Sequence, residues 1–217
     1  QGETKKNDQH TEQINKIKNL LEKSLSYYKS KNTIDLKMES MKGLFNGTKN
    51  LYIHANYAND IIDAIDISKK YKVKKIVIIG GEDAVKVMNK LKENDIPVIL
   101  NRVHRLPKNE DSQIHEPYQQ PAILEKNGIL FAFSYEGDME AMGARNLPFS
   151  AGTAVAYGLD YEKAVSALTL NTAKILGVDN KIGTLEKGKE ATLFISEGDA
   201  LDVRSNNVTH IFIKGKN

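Results

Sequence analysis

The apolar positions of the chain change their spacing twice, and each spacing predicts a different kind of element. In residues 11–29, apolar side chains recur every three or four positions, which is the period of one face of an α-helix. They are Ile14, Ile17, Leu21, Leu25 and Tyr28. A second, shorter helix is predicted between Leu36 and Phe45. It is followed by Asn46-Gly47, residues that tolerate the left-handed backbone found at helix ends.

Four short apolar runs come next, at Leu51–Ala55, Lys75–Gly80, Ile96–Leu100 and Gly128–Ser134. The segments between them carry apolar residues at helical spacing, apart from a polar loop that leaves the third run. Strands that are apolar throughout and alternate with helices predict a parallel sheet that is covered on both faces. The pattern does not distinguish half of an eight-stranded barrel from a small open sheet.

After Gly177 the pattern changes again. Residues 183–195 read as a turn and two short strands, and residues 208–216 read as an alternating strand that ends in a glycine turn. The chain is therefore predicted to have three regions. These are an amphipathic helix and linker at 1–33, a domain of βα units at 34–177, and a small β appendage at 178–217.

Composition narrows the class of protein. Apolar residues make up 40% of the 217 residues and charged residues 27%, a balance typical of a globular chain. The net charge is +3 and no aromatic residues interleave a basic stripe, so we expect no nucleic-acid partner. The absence of cysteine excludes disulfides, cysteine-bound zinc and thiol nucleophiles. No apolar run approaches the ~20 residues that a membrane helix needs, so we expect no membrane partner.

The most specific motif of the chain lies between the βα units and the appendage. Residues 168–177 read LTLNTAKILG, and residues 182–193 read IGTLEKGKEATL. Together they resemble the closing signature of the amidohydrolase superfamily, in which a T-x-N-P-A-K-x-L-G helix precedes a G-x-L-x-x-G-K-x-A-D-L hairpin. Thr172 replaces the proline of that pattern, and Thr192 replaces its aspartate. Upstream, to about residue 35, the chain resembles imidazolonepropionase-like amidohydrolases.

This resemblance implies an α/β fold in which the four βα units are strands five to eight of a (β/α)₈ TIM-type barrel. Part of a small β-sandwich then follows. The first four strands of such a barrel, with the His-x-His metal motif of the first strand, have no counterpart in the sequence. The chain is thus expected to be a carboxy-terminal half. The sequence leaves its compartment open between the cytoplasm and, if a leader was removed with the preceding half, the periplasm. We expect it to pair with a second copy or with the missing amino-terminal half.

The resemblance also implies a reaction. Amidohydrolases hydrolyse C–N bonds with water that a divalent metal, most often zinc, activates by lowering its pKa. The substrate is expected to be a small molecule, such as a cyclic amide, an imidazolone or a dipeptide-like compound. Because half of the metal ligands would be absent, we expect the isolated chain to be inactive and to bind no metal tightly.

Two positions correspond to histidine ligands of the family. His54 ends the first apolar run, where the fifth-strand ligand belongs, although it also fits a core histidine bonded to a backbone carbonyl. Gly80-Gly81 stands where the sixth-strand histidine is expected, and glycine offers no ligand atom. This pair predicts a tight turn after the strand. The turn is either structural or binds substrate, with the N–H groups of a helix start at Glu82 open to an anion.

The remaining candidates follow the last two apolar runs. Glu136 and Asp138 cover the eighth-strand aspartate, and either carboxylate fits a metal ligand or a general base. Asp138 also fits a helix cap. Arg102, His104 and Arg105 leave the seventh strand in a loop that fits a clamp for a substrate carboxylate. Arg145 is a further candidate of the same kind. The alternative for each of these cations is a solvated surface side chain.

Two other functions remain open. The first is a non-catalytic small-molecule binding protein with a decayed amidohydrolase site, which the Gly80-Gly81 pair favours. The second is a flavodoxin-like binding module, which needs only the four parallel strands. That module leaves the hairpin at 183–193 without a role, so it ranks last.

Overall fold

The structure is a computed structural model that describes residues 10–30, 34–107, 111–135 and 140–217. These residues divide into two compact units, one within residues 1–52 and 62–76, and the other within residues 53–61 and 77–217. None of the described helices is long and apolar enough to cross a lipid bilayer.

The first unit contains helices α1 (His10–Lys29) and α2 (Leu36–Asn46) and most of α3 (Ala58–Lys70). Its core is made by buried Leu21, Leu44 and Tyr71. The Asp35 side chain caps α2, because its Oδ1 accepts the backbone N–H groups of Lys37 and Met38 at 2.9 and 3.2 Å. As predicted, α2 ends at a glycine in the left-handed region, Gly47.

The second unit is built on a sheet whose strands, in the described part of the chain, have the order β1 (Leu51–Ala55), β2 (Ile76–Gly80), β3 (Val98–Leu100) and β4 (Phe131–Phe133). The ladders from β2 to β3 and from β3 to β4 are parallel. The inner positions Val77, Val98 and Phe131 are buried, as a sheet covered on both faces requires. The prediction of a parallel α/β sheet is confirmed.

The last two strands begin later than their apolar runs. The N–H of Ile96 donates to Leu91 O at 2.9 Å, and Pro97 has no N–H for a ladder. The N–H of Ile129 similarly donates to Leu124 O at 3.0 Å. Both runs therefore start in the turn that leaves the preceding helix, and the regular strands begin at Val98 and Phe131.

Helices fill the segments between and after these strands. A 3₁₀ turn (Ala84–Val87) and α4 (Met88–Glu93) follow β2, and α5 (Glu116–Lys126) follows β3. After β4 come α6 (Glu140–Gly143), a 3₁₀ turn (Ala144–Asn146), α7 (Leu147–Ala156), α8 (Tyr161–Leu168) and α9 (Leu170–Leu176). The helix predicted for the segment after the second apolar run is thus divided into a 3₁₀ turn and a short α-helix.

The motif residues hold α9 against the sheet. Asn171 donates from Nδ2 to Phe131 O at 3.1 Å, and its Oδ1 accepts from Ser166 Oγ at 3.1 Å. Gly177 ends α9 in the left-handed region, and Gly183 has a φ of +100°. A Cβ at Gly183 would lie 2.8 Å from Cβ of Ala173, so this glycine allows close packing against α9.

Strands β5 (Leu193–Glu197) and β6 (Asn207–Phe212) pair antiparallel after α9. Phe194 lies opposite Ile211, and both side chains are about half exposed. The ladder shifts between Ile195 and Ser196, which marks an irregularity of the β-bulge kind. The sandwich that these two strands are expected to join stays a prediction.

Candidate functional site

The carboxyl ends of the strands of the second unit's sheet carry the candidate site. In parallel αβ proteins the loops that leave these ends form the binding face. The residues that directly follow the four strands are Asn56, Gly81, Asn101 and Ser134. Ser134 joins two of the strand ends, because both its N–H and its Oγ–H donate to Leu100 O at 2.9 Å.

Asn56, Gly80 and Asn101 form a contact across three strand ends. Asn101 donates from Nδ2 to Asn56 Oδ1 at 3.1 Å, and its backbone N–H donates to Gly80 O at 3.1 Å. Gly80 has a φ of +103°, and a Cβ on it would come within 2.1 Å of Asn56 Oδ1. The position where a sixth-strand histidine was expected is therefore filled by the Asn56 side chain.

The turn after Gly80 uses its backbone groups internally. The N–H of Gly81 donates to Ala55 O at 2.9 Å, and that of Asp83 donates to Asn56 O at 2.8 Å. The N–H of Ala84 donates to Gly81 O at 2.9 Å, and buried Gln120 donates from Nε2 to the same oxygen at 2.7 Å. These bonds favour the structural interpretation of Gly80-Gly81 over an anion-binding one.

Asp83 joins two successive βα units. Its Oδ2 accepts the backbone N–H of Ala58, the first residue of α3, at 3.1 Å, and its Oδ1 pairs with Lys86 Nζ at 2.8 Å. The first turn of α3 is therefore capped by a carboxylate from the next loop along the chain.

His54 is the fourth residue of β1, and its side chain is exposed. This exposure argues against the alternative of a buried core histidine. Glu136 and Asp138 lie outside the described residues, and so does the alternative of Asp138 as a helix cap. Arg145 lies in the 3₁₀ turn before α7 with an exposed side chain.

The three candidate residues in the loop after β3, Arg102, His104 and Arg105, have different neighbours. The Arg102 guanidinium carbon lies 5.6 Å from the centre of the Tyr135 ring, a cation–π distance. Arg102 Nε is buried and has no hydrogen-bond partner among the described residues. His104 lines a cavity of about 540 Å³ with Tyr135, whereas Arg105 lines a pocket of about 180 Å³. The predicted clamp is thus spread over two pockets.

The pKa of His104 departs from the ordinary value of a histidine. His104 is an exposed residue, but partial desolvation of its imidazole and, to a smaller extent, the nearby charge of Arg102 lower the pKa of His104. Its Nε2 lies 2.7 Å from Oγ1 of Thr153 on α7. The neutral imidazole is therefore favoured, and its contact with Thr153 links it to α7.

Four residues of this region were not predicted from the sequence. Asn56 and Asn101 carry a signal, because each is a polar residue placed directly after an apolar run. Gln120 and Thr153 carry none, because an isolated polar residue in a helix is usually solvated.

A metal centre does not fit the described residues alone. No three histidine, aspartate or glutamate side chains among them are grouped so that they could hold a metal ion. Asn56 fills the sixth-strand position and offers a carboxamide oxygen, whereas zinc prefers nitrogen, sulfur or carboxylate ligands. A complete centre would need ligands from beyond these residues.

Comparison with known proteins shows that the chain matches a protein family. The model of the amidohydrolase family matches residues 29–217. A search of curated proteins found no match.

Solved structures resemble this chain over most of its length. An amidohydrolase from Thermotoga maritima is 29% identical, with a TM-score of 0.78, over 93% of this chain and 54% of that one. A Xaa-Pro dipeptidase with bound methionine is 20% identical (TM-score 0.61; 82% and 46% covered). An adenosine deaminase from Xanthomonas campestris with bound zinc is 18% identical (TM-score 0.55; 85% and 49% covered). The last two show likeness of fold alone, and the chain spans about half the length of all three.

Proposed function

The chain belongs to the amidohydrolase family, and we propose that it forms the carboxy-terminal part of a hydrolase that cleaves C–N bonds in a small molecule. The observation that carries the proposal is the family match over residues 29–217. The names of two fold neighbours, a dipeptidase and a deaminase, support C–N cleavage. The proposed substrate is a cyclic amide, an imidazolone or a dipeptide-like compound.

In this proposal the described residues bind and orient the substrate. Arg102, held over the Tyr135 ring, binds a substrate carboxylate, and Arg105, which lines a separate pocket, is a candidate for another substrate group. Gly80 and Gly81 shape the edge of the site through the Asn56 contact. Arg145 remains a candidate for a more distant substrate group.

The metal and the base are proposed for the whole protein. His54 is proposed as a ligand of a divalent metal, of the kind that one neighbour binds as zinc. When bound, such a metal supplies an activated water. Glu136 or Asp138 is proposed as the base that takes up a proton. Since the ligand set is incomplete in the described residues, we expect the 217-residue chain alone to bind no zinc tightly and to be inactive.

A second function is supported by one observation. Asn56 fills the sixth-strand position and bonds to Asn101, so the strand ends carry neutral carboxamides in place of an imidazole. A non-catalytic small-molecule binding protein would have such a site.

Hydrolysis of a panel of cyclic amides, imidazolones and dipeptides, followed as opening of the ring or as release of an amino acid, separates the two functions. We expect turnover by the longest natural polypeptide that contains this sequence, supplied with zinc, and none by residues 1–217 alone. His54→Ala in the long polypeptide is expected to abolish turnover. His210→Ala, which changes an exposed histidine on β6, serves as the control and is expected to retain it. Binding of panel compounds without turnover would establish the second function instead.

A further inference from the structure

His104 belongs to a chain of three polar atoms that reaches from the loop after β3 into α7. Its Nε2 lies 2.7 Å from Oγ1 of Thr153. The same hydroxyl lies 3.0 Å from the backbone carbonyl oxygen of Phe149, one helical turn earlier. Ring nitrogen, hydroxyl and carbonyl oxygen are therefore connected by two successive hydrogen bonds.

The direction of these bonds follows from the number of available protons. A hydroxyl has one proton to donate, and a carbonyl oxygen only accepts. The bond to Phe149 therefore uses the proton of Thr153, a common arrangement for threonine within a helix. The hydroxyl oxygen can then only accept from His104, so the ring proton is on Nε2.

The other ring nitrogen is left without a proton. A neutral imidazole carries a single N–H, and partial desolvation together with Arg102 favours the neutral ring by lowering the pKa of His104. Nδ1 then presents a lone pair. Within the ranges that the structure describes, no donor forms a hydrogen bond to Nδ1.

We propose that Thr153 is a positioning residue that holds His104 as the Nε2–H tautomer, so that Nδ1 accepts a hydrogen bond from an N–H group of the substrate. The proposal rests on the proposed function, because an N–H group is what a cyclic amide, an imidazolone or a dipeptide offers beside its carbonyl. His104 and Thr153 both line the cavity of about 540 Å³, a size typical of small-molecule sites.

This assignment changes the role of His104 within the loop. A bare lone pair repels a carboxylate oxygen, so His104 does not belong to the carboxylate clamp. The substrate carboxylate is left to Arg102, whose guanidinium carries N–H donors in a fork that matches two carboxylate oxygens. One loop then recognises two groups of the substrate, an acid through Arg102 and an N–H through His104.

The tautomer is measured without substrate, by nitrogen NMR of the 217-residue chain with isotope-labelled histidine rings, at a pH above the pKa of His104. We expect a protonated Nε2 and an unprotonated Nδ1, in signals identified by their loss in His104→Gln. Thr153→Val removes the hydroxyl and is expected to give a mixture of tautomers, whereas Thr153→Ser keeps the wild-type state. A protonated Nδ1 in the wild type, or an unchanged tautomer in Thr153→Val, would overturn the role of Thr153.

The acceptor role of Nδ1 is tested with ethyleneurea, a cyclic urea with two N–H groups. N,N′-dimethylethyleneurea, which has no N–H, is the matched control. We expect the Nδ1 signal of His104 to move with ethyleneurea only. Equal shifts with both compounds, or no shift with either, would contradict the acceptor role. Turnover by the long polypeptide is a separate measurement, so failure of this assignment is distinguishable from failure of the proposed hydrolysis.

Discussion

Gly80 and Asn56 together occupy the space of one side chain at the carboxyl edge of the sheet. The positive φ of Gly80 lets the backbone turn sharply after β2, and the Asn56 amide fills the volume that a Cβ would take. Gly80 therefore offers no side chain that could bind a metal, and Asn56 fills the space that such a side chain would need. Restoring a histidine would require a change at both residues and in the backbone.

Gly80→Ala is expected to destabilise the chain through two effects, the positive φ and the collision with Asn56 Oδ1. Gly188 isolates the first effect, because its φ is +98° and no atom lies within 4 Å of a Cβ placed on it. We expect Gly188→Ala to lower the free energy of unfolding by about 1–3 kcal/mol, the usual cost of such strain. The loss for Gly80→Ala should be clearly larger.

Urea unfolding of the two variants measures the difference. Adding Asn56→Ala to Gly80→Ala removes the colliding oxygen and is expected to recover the part that exceeds the Gly188→Ala loss. Equal losses for the two single alanine variants would show that Asn56 does not restrict the position.

At the scale of the element, α9 shows how residues of the family signature fix the position and the end of a helix. Its asparagine ties the helix to a carbonyl of β4, and its terminal glycine ends the helix. Thr172 stands in the third position of the helix, where the family has proline. The N–H groups of the N-cap residue and of the first three helical residues have no partner within the helix, so a proline at Thr172 removes no helical hydrogen bond.

Thr172→Pro is therefore expected to be tolerated. It loses the bond from Thr172 Oγ1 to Ala167 O at 2.8 Å, a net loss of at most about 1.5 kcal/mol. Ala173→Pro, one residue later, removes the bond from its N–H to Thr169 O at 2.9 Å and should lose about 3 kcal/mol or more. Thermal unfolding compares the two variants, and similar losses would contradict this account of α9.

The elements that the sequence predicts well are those that a local pattern determines. Strand β1 forms at its predicted bounds, although its side chains alternate in exposure, and β2, which is mostly buried, begins one residue late. The sequence pattern does not predict the 3₁₀ turn after β2. Gly81 and Asp83, just before this turn, bond to Gln120 and Asn56, which lie far from it in the sequence. The contact between Asn56 and Asn101 is likewise set by strand order, which a local pattern does not contain.

At the scale of the whole molecule, the surface of the β5–β6 pair is the feature that favours association. Phe194 and Ile211 lie side by side on one face and are 50% and 59% exposed. Adjacent exposed apolar side chains on a small sheet favour pairing with another surface. We propose that the 217-residue chain pairs with a second copy or with an amino-terminal half.

Light scattering at micromolar concentration tests this association. We expect the chain alone to form dimers or larger species, and Phe194→Lys combined with Ile211→Lys to reduce them. Ile17→Lys, at a 48% exposed position on α1, is the control and is expected to change little. A monomer with a cooperative melt in the unmodified chain would contradict the expectation.

The cap that Asp83 provides for α3 bears on how the chain folds as it is synthesised. Ala58 leaves the ribosome before Asp83 does, because Asp83 lies 25 residues further along the chain. The amino end of α3 is therefore synthesised before the carboxylate that caps it. Until then the first turn of α3 has water in place of its cap, and short helices are marginal in water. Two successive βα units, and not one, are therefore the smallest nascent segment in which this helix acquires its native start.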